Sequence, residues 1–491
     1  MNNLYNWIFD QKLDFNKQIL STQSGNYTYQ DIYRGVEQNT NLLERIGNVK
    51  KKRVALIVPS VFQFTTLSLA ISKLEGIIIP LSPLLRKDDL VSLLDFLNPH
   101  IVFTISMHNG FHLSETVRDW ALSSHKDRII LTQEENEEWS ISNISGEKNP
   151  LEEVNIQILG CTSGSTGMPK GIVYDVDFVK RVDDGIKVGL HMKQNDKLFL
   201  IAPATGVFGL AWILSSLHSQ NHLVIPENFN FLEIIQLFEH QPSEKLITTP
   251  SLFKAFDLYC KSLNKSVINQ VSLLCVFGEM VTPQFIKTYS DLHAKIMSFL
   301  GITEFGTVMY TEEDIRNGIS WTLLPNVDYK LESPNEEGIG ELLFKCESPF
   351  LGYYNRPDLT NEVFKNGWFF SGDLGRVTPE GKIEMMGRKK DMIKKGGQQV
   401  IPGEIESFLT KYPGVHSAVV VGVPHPVFGE QIVAFVQKDN ELTINDLYEY
   451  CNNRIARYKI PDQILTIDEY PMIQGKIDKV TLRKKVTINH E

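Results

Sequence analysis

Residues 162–171 combine hydroxyl side chains, glycines and one lysine in an arrangement that suits phosphate binding. The apolar residues 156–161 in front of them predict a short buried strand that ends in this loop. Glycines let backbone N–H groups approach an anion, hydroxyls add donors, and Lys170 adds a compact positive charge. An exposed linker is the plain alternative for such a composition. Because a linker gains nothing from a strand at its start and a Pro-Lys-Gly sequence at its end, we favour a phosphate loop.

The loop differs from the Walker A motif, in which a lysine lies between Gly and Ser or Thr. Here Lys170 follows Pro169 and precedes Gly171, which excludes a P-loop nucleoside triphosphatase. The pattern instead resembles the adenylate-forming superfamily of acyl-CoA synthetases, luciferases and peptide-synthetase adenylation domains. This resemblance, which extends from about residue 27 to the end of the chain, implies that the loop holds the phosphates of ATP. The residues so assigned are Thr162, Ser163, Gly164, Ser165, Thr166, Gly167 and Lys170.

Composition sets wider limits on the class of protein. The chain has 491 residues, 42% of them hydrophobic, with a net charge of −10, so we expect a globular protein of more than one domain. An acidic balance opposes a general role on nucleic acid or on anionic membranes. The five cysteines are scattered and form no C-x-x-C pair, which favours neither disulfides nor a zinc site. With no signal-peptide pattern at the amino terminus, a cytoplasmic location is expected.

Alternating strand and helix patterns predict an α/β fold. A predicted strand at 53–58, a helix at 60–75 and a strand at 76–80 form a βαβ unit, and the alternation continues beyond it, for example with a strand at 245–248. Nearer the carboxyl terminus, Thr443 and Asp446 predict a capping box at the start of a helix. We therefore expect a large N-terminal domain with parallel βαβ sheets and a small α+β C-terminal domain. Residues 133–155 are acidic and poor in apolar side chains, and they predict a surface connection. Residues 198–217 carry no charge, but prolines and glycines interrupt them, so a buried strand and a core helix are favoured over a membrane span.

Two further motifs follow predicted strands. Gly278 and Glu279 come after one strand, and Gly301 to Glu304 come after the next. Ligands of open α/β sheets bind beyond the carboxyl ends of the strands, so these motifs and the phosphate loop are expected to meet at one nucleotide site. By resemblance, Thr303 contacts the α-phosphate and Glu304 holds Mg²⁺, a cation that prefers carboxylate and phosphate oxygens. A solvated surface carboxylate is the alternative for Glu304.

An aspartate and an arginine complete the predicted nucleotide site. Asp373 ends the sequence Trp-Phe-Phe-Ser-Gly-Asp, and the resemblance assigns it to the ribose hydroxyls, with Arg388 beside it. A turn-capping aspartate is the alternative. Lys390 matches the hinge about which the mobile C-terminal domain of the superfamily swings. The expected organisation is an ATP- and acid-binding domain at 1–387, a hinge at 388–391 and a mobile domain at 392–491.

Lys476 is the expected catalytic lysine. It lies in Gly-Lys-Ile near the carboxyl terminus and, by resemblance, bridges the negative charge of the acid and the phosphate, acting with Thr303 and Glu304. The implied chemistry activates a carboxylic acid with ATP to an acyl-adenylate and then transfers the acyl group to a thiol. The protein would contribute mainly positioning and electrostatic stabilisation.

Features that the sequence lacks restrict the choice of acid substrate and of thiol acceptor. Amino-acid-activating relatives carry an aspartate in the segment equivalent to 202–209, and here that segment has no carboxylate. An unpaired ammonium in an apolar pocket is costly, so a fatty or aromatic acid is favoured. Coenzyme A is the expected acceptor, and a separate acyl carrier protein is the alternative, because cations on the small domain suit both. A non-catalytic nucleotide-binding relative is a third possibility, disfavoured by the complete motif set.

Overall fold

The computed structural model describes residues 2–134, 138–152, 156–162, 169–279, 281–395, 398–452, 454–473 and 476–488. Strands up to Arg388 build the larger part of the molecule, as follows: β1 (Gln18–Ser21), β2 (Asn26–Thr28), β3 (Arg53–Ile57), β4 (Ile77–Pro80), β5 (Ile101–Ile105), β6 (Arg128–Gln133), β7 (Trp139–Ile144), β8 (Ile158–Thr162), β9 (Lys170–Tyr174), β10 (Lys197–Ile201), β11 (His222–Val224), β12 (Lys245–Thr248), β13 (Leu273–Phe277), β14 (Lys295–Ile302), β15 (Gly306–Tyr310), β16 (Thr322–Leu323), β17 (Asp328–Glu332), β18 (Gly340–Lys345), β19 (Gly352–Tyr353), β20 (Phe364–Lys365), β21 (Trp368–Val377) and β22 (Ile383–Arg388).

Helices cover these strands. They are α1 (Leu4–Phe9), α2 (Tyr29–Arg45), α3 (Val61–Lys73), α4 (Lys87–Leu97), α5 (Leu113–Ser123), α6 (Val176–Gly189), α7 (Val207–Ser219), α8 (Phe231–His240), α9 (Pro250–Ser262), α10 (Pro283–Thr288) and α11 (Pro357–Val363). Local sequence explains several of their starts. Thr28 and Asp31 form a capping box at α2, and Thr249 caps α9, which has Pro250 in its first turn.

Within the described residues, the strands of the large domain form three sheets. One runs β16-β15-β14-β13-β12-β10-β11-β1-β2 and is parallel from β14 to β1, and the second runs β19-β9-β8-β4-β3-β5-β6-β7 and is parallel from β8 to β6. The third is antiparallel and contains β17, β18, β20, β21 and β22. This architecture confirms the predicted α/β fold with parallel βαβ sheets.

The small domain follows β22. Its strands are β23 (Ile393–Lys395), β24 (Gln398–Val400), β25 (Val415–His425), β26 (Gly429–Lys438), β27 (Gln463–Thr466), β28 (Met472–Ile473) and β29 (Lys476–Ile477), and its helices are α12 (Pro402–Leu409), α13 (Ile444–Cys451) and α14 (Lys479–Ile488). Thr443 and Asp446 form the capping box that the sequence predicts at α13. Lys459 joins this domain to the large one, because its ammonium pairs with Glu404 at 2.7 Å and with Glu337 at 2.9 Å.

Residues 133–155 differ from their prediction as a surface connection. Trp139–Ile144 form strand β7, which pairs antiparallel with β6 at the edge of the second sheet. Trp139 and Ile141 alternate with serines, but this short signal lies inside a stretch whose overall composition is acidic and poor in apolar residues, and four of the six strand residues are exposed. Residues 198–217, in contrast, form the buried strand β10 and the core helix α7 as predicted.

Candidate active site

Lys170, the lysine of the predicted phosphate loop, is the first residue of strand β9. Residues 163–168 of that loop lie outside the described residues, as does the side chain of Thr162 at the end of β8. The backbone of Thr162 pairs with that of Lys170, so the loop connects two adjacent antiparallel strands. The Lys170 ammonium lies 5.4 Å from the centre of the Tyr353 ring, a distance at which a cation is attracted to an aromatic face.

Thr303 and Glu304 lie in the turn between β14 and β15. Tyr353 donates its hydroxyl proton to Glu304 Oε1 over 2.6 Å, and Tyr174 donates to the Thr303 carbonyl over 3.0 Å. The Thr303 side chain is exposed. Two tyrosines of the second sheet therefore hold the Thr-Glu turn of the first sheet. We call Lys170, Tyr174, Thr303, Glu304 and Tyr353 the tyrosine cluster.

The acidity of both tyrosines is altered by this environment. Burial raises the pKa of Tyr353 above its ordinary value, and the charge of Glu304 and the bond to it raise it further. Burial likewise raises the pKa of Tyr174, with Glu304 and Tyr353 adding to the effect. Both phenols are consequently protonated at neutral pH and act as hydrogen-bond donors toward the turn.

Gly278 and Glu279 follow β13, the neighbour of β14 in the first sheet. Gly278 adopts φ +77°, a left-handed conformation that favours glycine and turns the chain away from the strand. The Glu279 carboxylate accepts hydrogen bonds from the backbone N–H and the hydroxyl of Ser251, at 3.1 and 2.5 Å, in the first turn of α9. Gly301 is exposed near the end of β14. Gly278 and Glu279 thus lie beyond the end of β13, and Gly301 lies within the last two residues of the neighbouring strand β14.

Asp373 and Arg388 are cross-strand partners on β21 and β22. Arg388 Nε lies 2.6 Å from Asp373 Oδ1; the Asp373 side chain is 6% exposed and that of Arg388 is 52% exposed. Burial raises the pKa of Asp373 to about 6; Arg388 opposes the rise and the nearby Glu341 adds to it. A buried carboxylate with an exposed cation beside it is well suited to accept hydrogen bonds from hydroxyl groups.

A second carboxylate and cation lie next to this pair. Glu341 Oε1 accepts a hydrogen bond from the Gly372 backbone over 3.1 Å, and Glu341 Oε2 pairs with Lys389 at 2.6 Å. We call Glu341, Asp373, Arg388 and Lys389 the β21–β22 cluster. Lys390, the predicted hinge, is exposed within the single 3₁₀ turn Lys389–Asp391 between β22 and β23. Short 3₁₀ turns are frequent connectors between elements, and this one joins the two domains.

Lys476 lies on the small domain, in the β28–β29 hairpin just before α14. Its backbone pairs with that of Ile473, while its side chain lies outside the described residues. That the Lys476 side chain extends to the nucleotide site of the large domain remains a prediction. The structure thus brings Lys170, Thr303 and Glu304 together, and it brings Asp373 and Arg388 together.

Tyr174 and Tyr353 are site residues that sequence reasoning missed. Tyr353 belongs to the sequence Gly-Tyr-Tyr-Asn at 352–355, which was recognisable as a motif but carried no indication of its partner. Tyr174 ends the strand that Lys170 begins. The alternation of side chains along a strand places residues 170, 172 and 174 on one face, and this was the available signal.

Comparison with known proteins shows the family to which this chain belongs. The AMP-binding enzyme family model matches residues 11–354, and the AMP-binding enzyme C-terminal domain model matches residues 404–475. The chain belongs to the AMP-binding enzyme family. This confirms the predicted place in the adenylate-forming superfamily and the predicted class, an AMP-forming acid–thiol ligase of the acyl-CoA synthetase type.

Individual relatives have low sequence identity to this chain but match it over most of its length. The chain is 26% identical to a long-chain-fatty-acid–CoA ligase from Mycobacterium tuberculosis over 490 residues, 93% of each protein. It is 26% identical to a feruloyl-CoA synthase from Amycolatopsis sp over 344 residues, 67% of this chain and 70% of that protein. The crystal structure of ATP-bound MatB from Rhodopseudomonas palustris matches with a TM-score of 0.83 at 22% identity over all of both chains. This last likeness confirms the fold.

Among the described residues, no helix is both long enough and apolar enough to cross a bilayer.

Proposed function

We propose that this protein uses ATP to convert a fatty or aromatic carboxylic acid into its coenzyme A thioester. In the first half-reaction a carboxylate oxygen attacks the α-phosphorus of ATP, the bond to the β-phosphate breaks, and pyrophosphate leaves. In the second, the thiol sulfur attacks the acyl carbon, the bond to AMP breaks, and the thiol proton passes to solvent. The tyrosine cluster gives the strongest support, because it unites Lys170, Thr303 and Glu304 from two sheets.

The residues fit the anionic substrate and its cation. Lys170 would hold phosphate oxygens, the exposed Thr303 hydroxyl would donate to the α-phosphate, and Glu304 would hold Mg²⁺. The described residues contain no group of three or more His, Cys, Asp or Glu that would form a metal cage. A single carboxylate agrees with Mg²⁺, which usually takes one or two protein oxygens and completes its shell with water and phosphate. Once bound, the cation would neutralise phosphate charge.

The ribose and hinge assignments rest on the β21–β22 cluster. Asp373 would accept hydrogen bonds from the ribose hydroxyls, with Arg388 beside it. Lys390 would act as the hinge between the domains, so that the small domain presents Lys476 for adenylation and withdraws it for thioester formation. The pairing of buried Asp373 with Arg388 supports the ribose assignment. The position of Lys390 in the short connection between β22 and β23 supports the hinge assignment.

The acid is proposed to have an uncharged body. Gly206 caps α7, and no atom of the described residues lies within 4 Å of a Cβ placed on it, so these residues leave room there. Phe208, in the first turn of α7, stacks on Phe277 at the end of β13 with ring centres 4.5 Å apart. Two relatives are named for acids of this kind, a long-chain-fatty-acid–CoA ligase and a feruloyl-CoA synthase. An apolar wall suits an acyl chain or an aryl ring better than an ammonium.

The proposal is tested by supplying ATP, Mg²⁺ and a panel of carboxylic acids, and measuring pyrophosphate with and without coenzyme A. We expect acid-dependent pyrophosphate release, highest for fatty or aryl acids, and a thioester when coenzyme A is present. A panel of α-amino acids is the matched control and should give none. Efficient acylation of a pantetheinylated carrier protein, with no coenzyme A thioester above background, would replace the proposed acceptor with a carrier.

A further inference from the structure

Tyr353 lies where the two parallel sheets meet. Strand β19 adds to the edge of β9, and Tyr353 pairs with Ile172 in the backbone register, between Lys170 and Tyr174. The Tyr353 side chain is mostly buried, at 8% exposure. Its hydroxyl reaches Glu304 Oε1 at 2.6 Å, while its ring faces the Lys170 ammonium at 5.4 Å. One side chain thus contacts both charged groups of the tyrosine cluster.

The next residue provides an internal comparison. Tyr354 is as buried as Tyr353, at 7% exposure, and its hydroxyl also donates to a carboxylate, Glu152 Oε1, over 2.7 Å. Glu152 belongs to a different network, because it pairs with the buried Arg53. Successive residues of a strand point to opposite faces, which explains why neighbouring tyrosines serve two separate carboxylates.

We infer that Tyr353 is a positioning residue for the ATP-dependent half-reaction: it holds the Glu304 carboxylate in the orientation that receives the cation of the Mg²⁺–nucleotide complex. This inference rests on the proposed function, in which Glu304 is the metal ligand. Tyr174 supports the same turn through the backbone, by its hydrogen bond to the Thr303 carbonyl. Tyr353 therefore acts on the cation through Glu304, and it needs no contact with substrate.

The physical reason is the freedom of a glutamate side chain. A carboxylate at the end of three rotatable bonds loses rotamer entropy when it binds a cation, and a prior hydrogen bond from a buried donor removes part of that cost. Hydrogen bonds to an ionised acceptor are also stronger than neutral ones. Groups that orient metal ligands in this way typically change metal affinity or activity by about 10- to 100-fold when they are removed.

Isothermal titration of ATP at graded Mg²⁺ concentrations tests the inference without turnover. Tyr353→Phe keeps the ring near Lys170 and removes only the hydroxyl. We expect it to raise the Mg²⁺ concentration for half-maximal ATP binding by about 10-fold or more. The matched control Tyr354→Phe removes the neighbouring hydroxyl, and it should leave this concentration unchanged even if it lowers the unfolding temperature.

Glu304→Gln and the double variant with Tyr353→Phe complete the design. If Tyr353 acts through Glu304, the double variant should need no more Mg²⁺ than Glu304→Gln alone, since contacting residues are not additive. Tyr353→His keeps a hydrogen-bond donor on a smaller ring, so the Mg²⁺ concentration that it needs should lie between those of wild type and Tyr353→Phe. It also replaces Tyr353→Phe in the test if that variant does not fold.

Two results would overturn the inference, and they differ in what else they affect. A wild-type Mg²⁺ requirement in Tyr353→Phe, together with a raised one in Glu304→Gln, would contradict the positioning role and leave the metal assignment intact. A wild-type requirement in Glu304→Gln would contradict both. Acid-dependent pyrophosphate release by the wild-type protein is measured separately, so failure of the proposed ligase function is distinguishable from either result.

Discussion

The tyrosine cluster and the β21–β22 cluster hold their charges in opposite ways. In the tyrosine cluster, buried phenols from β9 and β19 hold a turn of another sheet, so the anchoring groups are mostly shielded from solvent. In the β21–β22 cluster the carboxylates are buried, at 6% exposure each, while their cations Arg388 and Lys389 are more than half exposed. Exposed cations exchange partners readily, whereas buried donors do not. We therefore expect the first cluster to keep a fixed arrangement and the second to rearrange more readily.

This difference predicts which half-reaction each region controls. Changes that remove the charge brought to the acid and phosphate should reduce adenylate formation. Changes around residues 388–391 should alter the passage from adenylate to thioester. The variants below are ordered from the largest expected effect to the smallest.

Lys476→Ala should produce the largest effect. Removing a cation that stabilises the developing charge typically costs on the order of 10²–10³ in rate, so we expect adenylate formation to fall by that factor. Thioester formation from supplied acyl-adenylate should be spared, because the small domain is expected to withdraw this lysine between the half-reactions. Lys484→Ala, an exposed lysine on α14, is the control and should behave as wild type in both assays. Equal loss in both half-reactions would contradict the assigned role.

Lys390→Pro tests the hinge. Proline fixes φ, so this change should lock the small domain in one orientation. If that orientation forms adenylate, a single turnover of pyrophosphate should persist while thioester formation falls at least about tenfold, as lost conformational steps often limit turnover. Lys390→Ala removes the same charge and leaves φ free, so its turnover should stay near that of wild type. Normal steady-state thioester production by Lys390→Pro would exclude the hinge role.

Asp373→Asn should weaken ATP binding and stabilise the fold at neutral pH. The pKa of Asp373 rises from 3.8 to about 6 on folding, so ionised Asp373 destabilises the folded state above pH 6, by on the order of 3 kcal/mol, and this cost vanishes below about pH 4. The gain in unfolding free energy of Asp373→Asn should accordingly be present at pH 8 and lost at pH 4. Denaturant unfolding at the two pH values measures it, with exposed Asp328→Asn as control. A gain that is larger at pH 4 would contradict the assignment.

Lys389→Ala should produce the smallest effect. It leaves the buried Glu341 carboxylate without its cation, so the negative charge near Asp373 is less well compensated and the pKa of Asp373 should rise further. ATP affinity depends on ionised Asp373 in the proposed site, so it should weaken as the pH falls through about 6 in wild type. In the variant this weakening should begin at a slightly higher pH, by less than about one unit. A shift to lower pH would contradict the coupling between the two carboxylates.

Much of the fold was predictable because the relevant signals are local. The strand Lys245–Thr248 was predicted within its observed bounds, since a short apolar run between two helices has few alternatives. The capping box of Thr443 and Asp446 depends on residues three apart and needs no tertiary information. Strand β7 carries only a brief alternation, Trp-Ser-Ile-Ser, within an acidic stretch, and it lies at a sheet edge with most side chains in solvent.

The site was predictable residue by residue but not as an arrangement. Lys170, Glu304 and Asp373 stood out through their motifs. The hydrogen bond from Tyr353 to Glu304 joins residues 49 positions apart in the sequence. It depends on the pairing of β19 with β9 and on the way in which the turn after β14 meets that pair. The raised pKa of Asp373 depends on burial and on Glu341, neither of which a sequence pattern reports. Such contacts arise from register between strands that are distant in the chain.

The most direct test of the account is the stoichiometry of a single reaction: ATP, a preferred fatty or aromatic acid and coenzyme A, with AMP, pyrophosphate and thioester quantified together. The account predicts equal amounts of all three products, and no pyrophosphate when the acid is omitted. Formation of ADP and phosphate, or ATP consumption that is independent of the acid, would contradict it.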